Sequence, residues 1–500
     1  MIKDLVKVFG ETVIYGVTGV ASTLISVFLV PFYTRVLTPG DYGVSALIWT
    51  LFSILTVVAT AGLGMAIFRS YFAAADSERQ DVIGTAFILQ SLFPLIVSGL
   101  IFLLSAFLSS VLFDTNMYSY LIKLSAIALF FNVGITIPLA LLRAEGSPTK
   151  FVVINMVKIL FTVAFSIGLV VILRKGLNGV YWANLIGAFV GYLMGVGYTF
   201  RRLKPTFSFR WAAEMLKFGI PAVPTGLAIW VLNSSDRYFL NSFFGTADVG
   251  IYNVGYRVGM LVTLVSGALH LAYPRFMFSI YKERPDAKYY FAKINTYFYL
   301  ITFLSALAIS IFAKEAIQIL TGPAFHSSYT VVPLIAFSYV FYGLFSNFGT
   351  GISVIGKTYL FVISTATAGL INLFFNFILI SRFGVMGAAL ATFLSFSFLA
   401  IIQLLMAQRI YAIPYEFKRI GLVLLIGITL VIASNLINFD LLTSLFVKSI
   451  FFTLFPVVLY LFRFFEDREL KALRKIWLFF KSSRGNPKTL IELIRQDFVV

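Results

Sequence analysis

The sequence predicts an all-α polytopic membrane protein of about fourteen transmembrane helices. Sixty per cent of its 500 residues are hydrophobic and only 12% are charged, whereas about a quarter of the residues in a soluble globular protein are charged. A helix that spans a bilayer needs roughly 20 mostly apolar residues, and the chain supplies such segments almost from end to end. A transmembrane β-barrel would need short segments of alternating polarity, a pattern that this sequence does not show.

Each apolar segment defines one predicted span. The fourteen spans cover residues 12–34, 44–67, 83–107, 120–141, 151–173, 179–200, 216–235, 249–272, 290–313, 329–350, 359–380, 384–406, 420–437 and 443–462. The first span follows a charged start, Met1–Lys7, with no small-residue cleavage site after it. We therefore expect a retained helix and not a removed signal peptide.

The distribution of Lys and Arg predicts the orientation of the spans. If the N-terminus is inside, 29 of the 39 Lys and Arg residues lie on inner segments and 8 on outer turns, Lys448 being counted among the 8. Cytoplasmic segments of membrane proteins carry this excess. We expect both termini in the cytoplasm of a multi-pass protein of the cell membrane. The net charge of +18 reflects this topology and an attraction to anionic membrane lipids, and it does not indicate nucleic acid binding.

An internal repeat predicts the architecture. The turn Thr38–Gly43 (TPGDYG) follows an apolar segment and begins another, and Gly245–Tyr252 (GTADVGIY) does the same about 200 residues later. Further along, segments 176–185 and 384–393 correspond when Gly179 is aligned with Gly387. Two copies with an even number of spans are parallel repeats, and transporters of this kind hold the substrate between the copies and alternate access by rocking.

The repeat divides the chain into five predicted parts. They are an N-terminal six-helix bundle (1–200), a cytoplasmic linker (201–215), a C-terminal six-helix bundle (216–410), two extra transmembrane helices (411–465) and a basic cytoplasmic tail (466–500). The tail segment Glu466–Phe480 places apolar residues at helical spacing among alternating charges, a pattern that predicts an interfacial amphipathic helix.

Charged residues inside the membrane are the strongest functional signal. Each costs roughly 2.5–3.5 kcal/mol on insertion scales, so such residues usually face a polar cavity. Two cations lie within spans, three lie at span ends, and two amides lie near the deep cations; the predicted substrate-binding residues are Arg257, Lys158, Arg237, Arg35, Arg69, Asn155 and Asn253. A cationic cleft suits an anionic substrate such as a phosphate or diphosphate head group, with Arg as the better bidentate partner.

The span-end cations have a second interpretation. Arg35 and Arg237 can reach the membrane surface or pair with Asp41 and Asp236, which are the predicted coupling or structural ion pair residues. Arg69 can serve as a positively charged anchor on the inner side.

Other chemistry is not indicated. The chain has no cysteine and only two histidines, His270 and His326, which are far apart in sequence, so we expect no metal site and no cofactor. Segment 351–358 (GISVIGKT) matches the spacing of a phosphate-binding P-loop. That loop works only between a strand and a helix, and here the segment joins two apolar spans. We interpret the match as chance and expect no nucleotide.

The motifs resemble those of the polysaccharide transporter family. They are the Arg35 to PGDYG turn, Gly62-Leu63-Gly64 followed by Arg69, and Asp236-Arg237-Tyr238 followed by Gly250-Ile251-Tyr252. The family comprises flippases for O-antigen and other lipid-linked oligosaccharides, and it is related to the lipid II flippases and the multidrug and toxin extruders.

The resemblance implies a fold, a substrate and partners. It implies a V-shaped pair of six-helix bundles that moves an oligosaccharide linked to undecaprenyl diphosphate from the cytoplasmic to the outer leaflet, for assembly of a cell-surface polysaccharide. Polysaccharide polymerases and glycosyltransferases are the implied protein partners. The resemblance also makes the five cations listed above candidates for lining a central cavity.

Two other functions compete with the flippase. A cation-coupled multidrug antiporter on the same fold would place acids in its cavity, where this chain has Lys158 and Arg257. A membrane glycan polymerase or ligase would need a sizeable outer loop for its catalytic groups, and the longest outer loop, Lys314–Ser328, is short. We therefore expect a transporter and not an enzyme.

Overall fold

The computed structural model describes residues 18–200, 206–435, 440–467 and 469–470. Every regular element within these ranges is helical. The start Met1–Lys7, the beginning of the first predicted span, the basic residues at 201–204 and most of the predicted tail helix Glu466–Phe480 lie outside the described residues.

The described helices fall into two compact units, Met1–Tyr415 and Glu416–Val500. The first unit contains α1 (Thr18–Thr34), α2 (Pro39–Ala73), α3 (Arg79–Leu103), α4 (Ser119–Ala144), α5 (Pro148–Ile172), α6 (Gly176–Thr199), α7 (Phe209–Ser234), α8 (Thr246–Gly259, continued after a bend by Val262–Glu283), α9 (Ala287–Ile311), α10 (Val332–Ile355), α11 (Tyr359–Phe375, continued by Asn376–Ile380) and α12 (Ser381–Ile410). The second unit contains α13 (Phe417–Asn435) and α14 (Leu441–Leu461). Shorter helices at 105–113, 236–244, 313–320 and 323–330 connect some of the long ones.

The lengths and hydropathy of these helices confirm a multi-pass, all-α membrane protein. Among the described residues, 11 helices are long and apolar enough to cross a membrane, or 12 if the two parts of α8 form one span. That count treats α11 and α12 as one helix. The Ser364 hydroxyl of α11, however, donates to Gln403 Oε1 of α12 over 2.6 Å. Two residues 39 positions apart can meet in this way only if the chain reverses direction between the helices. The figure of fourteen spans stays a prediction.

The start of α2 shows how the repeated turn is built. The Thr38 hydroxyl oxygen accepts the Asp41 N–H at 3.1 Å, and the Asp41 carboxylate accepts the Thr38 N–H at 3.1 Å. This reciprocal capping box, with Pro39 in the first helical turn, stabilises a helix start. The helix therefore begins at Pro39, five residues before the predicted span, with Thr38 as its N-cap and Asp41 as the third helical residue that completes the capping box.

The two copies share an irregularity that supports the predicted repeat. α5 ends in a π-helix at Ile167–Ile172, and α11 ends in one at Asn376–Ile380. A glycine with positive φ follows each of them, Gly176 at 56° and Gly384 at 53°. The alignment of Gly179 with Gly387 superposes both the π-helices and these glycines. The bundle boundaries at 200 and 216 stay predictions.

The predicted linker 201–215 is partly wrong, because α7 begins inside it at Phe209. The Ser208 hydroxyl oxygen accepts the Trp211 N–H and caps the helix. Trp211 and Met215 are buried in an apolar cluster with residues of α2 and α3. Arg210 and Glu214, which lie beside these buried residues, gave this segment the composition of a linker. The amphipathic helix instead packs onto the first half.

The second unit contains its own ion-pair cluster. Arg419 at the start of α13 contacts Glu416 at 3.1 Å and Glu469 at 2.7 Å. Asp440 caps α14 by accepting the Thr443 N–H. Lys448, assigned to an outer turn by sequence, instead lies inside α14 and is buried. That assignment was wrong because the apolar segment begins before this lysine.

Candidate functional site

The two repeated turns meet each other and join the halves. α2 and α8 cross so closely that a Cβ on Gly43 would overlap the carbonyl of Thr246, and a Cβ on Gly250 would overlap the carbonyl of Pro39. Small residues permit this backbone approach between membrane helices. Because Gly43 and Gly250 occupy equivalent positions in the repeat, the contact is nearly symmetric. We call this region the turn end.

Arg257 connects the second half to the first near the turn end. Its guanidinium donates to the Ser26 carbonyl of α1 at 3.2 Å and lies 5.5 Å from the centre of the Tyr42 ring. The side chain is half-buried, and Asn253 is buried one turn before it on α8. Arg257 therefore lies where movement between the halves would change its surroundings.

Arg237 and Asp236 form a buried ion pair within the second half. Their side chains are 7% and 3% exposed, and the closest N–O distance is 2.8 Å. The Arg237 guanidinium also lies 4.2 Å from the centre of the Tyr256 ring. The Tyr252 and Thr392 hydroxyls donate to the second Asp236 oxygen. These contacts favour the structural interpretation of this pair.

Lys158 lies on a cavity of about 420 Å³ enclosed by α2, α4, α5 and α6 of the first half. Its ammonium group donates to the Asn132 side-chain oxygen at 2.6 Å. The polar lining comprises Ser53, Thr56, Ser125, Asn132, Lys158 and Asn184. Trp49, Phe52 and Tyr181 supply aromatic walls. A single cation in a mainly apolar cavity with a few polar groups is typical of a small-molecule site.

A residue of the second half lies at the edge of this cavity. The indole N–H of Trp230, on α7, is 2.8 Å from the Ser53 hydroxyl oxygen and 3.1 Å from the Thr50 carbonyl. Ser53 is itself part of the cavity lining. The cavity and the contact between the halves are thus joined through one hydrogen-bonded tryptophan.

The other predicted residues lie apart from the cavity. Arg35 is exposed and donates to the Ile319 carbonyl at 3.3 Å. Arg69 is also exposed and lies 4.9 Å from the centre of the Phe218 ring, on the first segment of α7. Asn155 donates to the Phe151 carbonyl of its own helix at 2.8 Å. Arg35 and Arg69 of the first half therefore each contact a residue of the second half.

The structure does not bring the predicted cations into one cluster. Only Arg237 and Asp236 contact each other, whereas Lys158 and Arg257 have separate partners. Asn132 and Trp230 were not predicted from the sequence. A mid-span amide such as Asn132 is a usable signal, but nothing in the sequence relates it to a lysine 26 residues later.

Two further observations concern metals and nucleotides. In the part of the chain that the structure describes, no three His, Cys, Asp or Glu side chains are placed to hold a metal ion. The P-loop match is a helix, Thr350–Ile355, followed by a left-handed Gly356 and the exposed Lys357. The strand that a P-loop requires is replaced by this helix, as the sequence interpretation expected.

The fold and the paired halves are those of multi-pass membrane transporters. The solved structure of the lipid II flippase MurJ in an inward closed conformation superposes with a TM-score of 0.72 at 15% identity, covering 90% of this chain and 99% of that chain. An inward-facing multidrug transporter of the MATE family superposes with a TM-score of 0.64 at 16% identity, covering 79% and 95%. At these identities the likeness shows the fold.

Comparison of the amino-acid sequence with known families identifies the family of this chain. The model of a polysaccharide biosynthesis protein family matches residues 32–330, more than half of the chain, which therefore belongs to that family. A probable low-salt glycan biosynthesis flippase, Agl15 of Haloferax volcanii, is 22% identical over 400 residues, 78% of this chain and 82% of its own length. The Lsg locus putative protein 1 of Haemophilus influenzae is 20% identical over 330 residues, 64% of this chain and 78% of its own length.

Proposed function

We propose that this protein is a flippase that moves a polyprenyl-diphosphate-linked oligosaccharide across the cell membrane by alternating access. Family membership, the glycan flippase among the relatives and the lipid II flippase fold support a transporter of polysaccharide biosynthesis and not an enzyme. The direction that we propose is from the cytoplasmic to the outer leaflet, with both termini in the cytoplasm. The charge distribution supports this orientation.

The observation that carries the proposal is an embedded cation on each half. Arg257 of the second half contacts α1 and α2, and Lys158 of the first half lies on a cavity. Among the residues that line this cavity there is no Asp or Glu. A drug-cation antiporter needs acids where its cargo binds, so the lining favours an anionic substrate over the multidrug alternative suggested by the MATE fold.

Substitution of Arg257 tests the proposal. Losing one charge-assisted contact to an anion costs about 1.5–3 kcal/mol, so Arg257→Ala should slow export of the lipid-linked oligosaccharide roughly 10- to 150-fold. Arg257→Lys should recover part of the rate, since the charge remains and the bidentate fork is lost. The measurement is surface glycan in cells that depend on this protein, normalised to the amount of protein in the membrane.

Lys357→Ala is the matched control, because it removes an exposed cation of the chance P-loop match. Export by this variant should equal that of the wild type. Wild-type export by Arg257→Ala would contradict the proposed role of Arg257, and a complete loss with Lys357→Ala would restore a nucleotide hypothesis.

A further inference from the structure

We infer that the Lys158 cavity is a subsite for one acidic sugar residue of the transported glycan, recognised through its carboxylate. This inference rests on the proposed function and adds a substrate class to it. It assigns the cavity to the oligosaccharide and not to the lipid diphosphate.

The charge of the cavity fits one carboxylate. An ammonium group has three donors and no acceptor, and the described contacts of Lys158 engage one donor with Asn132. A buried anion must be paired and hydrogen-bonded to offset its desolvation. One lysine balances the single charge of a carboxylate, whereas a diphosphate carries more negative charge than this lining can neutralise.

The walls of the cavity fit a sugar ring. Trp49 and Tyr181 lie with ring planes 22° apart and centroids at 6.5 Å, and both border the cavity. Trp49, the exposed ring of this pair, offers apolar contact to the carbon skeleton of a pyranose, and the buried Tyr181 supports it by stacking. The amides of Asn132 and Asn184, which both donate and accept, suit ring hydroxyls. The volume of about 420 Å³ accommodates a small molecule.

The cavity also opens beside a residue of the second half. Ser53 and Trp49 are the exposed members of the lining, so the opening lies on their side. Trp230 donates to Ser53 at that opening. A ligand that enters or leaves past Ser53 therefore meets a residue of the opposite half.

Binding of monosaccharides to the purified full-length protein in lipid nanodiscs is the first test. Saturation-transfer NMR should detect D-glucuronate, with D-glucose binding more weakly. Lys158→Gln should weaken glucuronate binding about tenfold or more, the effect of losing a charge-assisted hydrogen bond. Lys150→Gln is the matched control, because Lys150 is an exposed cation on the same helix, outside the cavity. It should bind glucuronate as the wild type does.

Two kinds of result would overturn the inference. The first is that Lys158→Gln and the wild type do not differ, either because both bind glucuronate equally or because neither binds it. The other is displacement of glucuronate by inorganic pyrophosphate at a lower concentration than by glucuronate itself, which would assign Lys158 to the diphosphate.

Transport in proteoliposomes is the second test and separates this inference from the proposed function. Two polyprenyl-diphosphate disaccharides are compared, one ending in glucuronate and one in glucose. The wild type should move the acidic lipid about tenfold faster, and Lys158→Gln should bring the ratio of the two rates close to one. An unchanged ratio in Lys158→Gln would overturn the subsite and leave the flippase standing. If the wild type moves neither lipid, the proposed function fails, and the binding test alone decides the subsite.

Discussion

The first half keeps a cavity in a place that the second half fills. In the repeat, α2, α4, α5 and α6 correspond to α8, α10, α11 and α12. In the second set, Tyr339 packs against both Tyr256 and Phe396, and Tyr256 contacts the paired Arg237. In the first set, Lys158 lies on open volume. One backbone plan therefore carries a ligand-sized space in one copy and an aromatic cluster in the other.

The difference between the halves concerns how each cation is stabilised. Arg237 is balanced by a carboxylate and an aromatic ring inside the protein, an arrangement that needs no ligand. Lys158 has a neutral amide as its described hydrogen-bond partner. An embedded cation is costly and is usually associated with function. The comparison teaches that aligned parts of the two copies stabilise an embedded cation in different ways, by an internal carboxylate for Arg237 and by a neutral amide for Lys158. The following substitutions test that difference.

Breaking the ion pair of the second half should have the largest effect. Asp236→Ala leaves Arg237 buried without its carboxylate, which typically costs about 3–5 kcal/mol. We expect a large drop in the amount and thermal stability of folded protein, measured by size exclusion of the fluorescently tagged chain in detergent. The double variant Asp236→Leu/Arg237→Met should recover most of it, because a packed apolar pair replaces a buried ion pair at little cost. Normal stability of Asp236→Ala would show that this pair is not structural.

Separating the two halves at the turn end should have an intermediate effect. Gly43→Val places side-chain atoms against the Thr246 carbonyl, and overpacking of this kind costs about 1–3 kcal/mol. Export should fall at least several-fold while the protein still accumulates. Gly99→Val is the control, since a Cβ there meets no atom within 4 Å. Equal export by the two variants would mean that the contact between the turns is dispensable.

Removing the indole donor at the cavity should have the smallest effect. Trp230→Phe keeps an aromatic ring but loses hydrogen bonds worth about 0.5–1.5 kcal/mol. The rate of substrate movement in proteoliposomes should fall roughly 2- to 10-fold. Trp182→Phe, at an exposed position of α6, should leave the rate unchanged. If Trp230→Phe is also unchanged, the first-half cavity works without this link to the second half.

Composition and local pattern were sufficient for the class and the main turns. Long apolar segments determine spans because the bilayer demands internal backbone pairing, and the TPGDYG turn is recognisable from its capping residues. The repeat was also visible, since Gly179 and Gly387 occupy aligned positions near the starts of α6 and α12. These features depend on residues that are close together in sequence.

The site depended on contacts that local pattern cannot supply. The sequence grouped Lys158 and Arg237 as similar cations, but the depth and partner of each follow from helix packing. Asn132 and Trp230 reach the cavity from helices α4 and α7, so their role appears only in three dimensions. The α7 start at Phe209 was missed because an amphipathic helix and a charged linker have similar composition.

The paired π-helices concern a backbone geometry that the two copies share. A π-helix contains wider turns than an α-helix, is rare, and often lies at functional sites. It occurs at one aligned position of α5 and α11, although the aligned side chains of Lys158 and Ala366 differ. The irregular backbone is therefore a property of the repeated unit, whereas the embedded charge is a property of one copy.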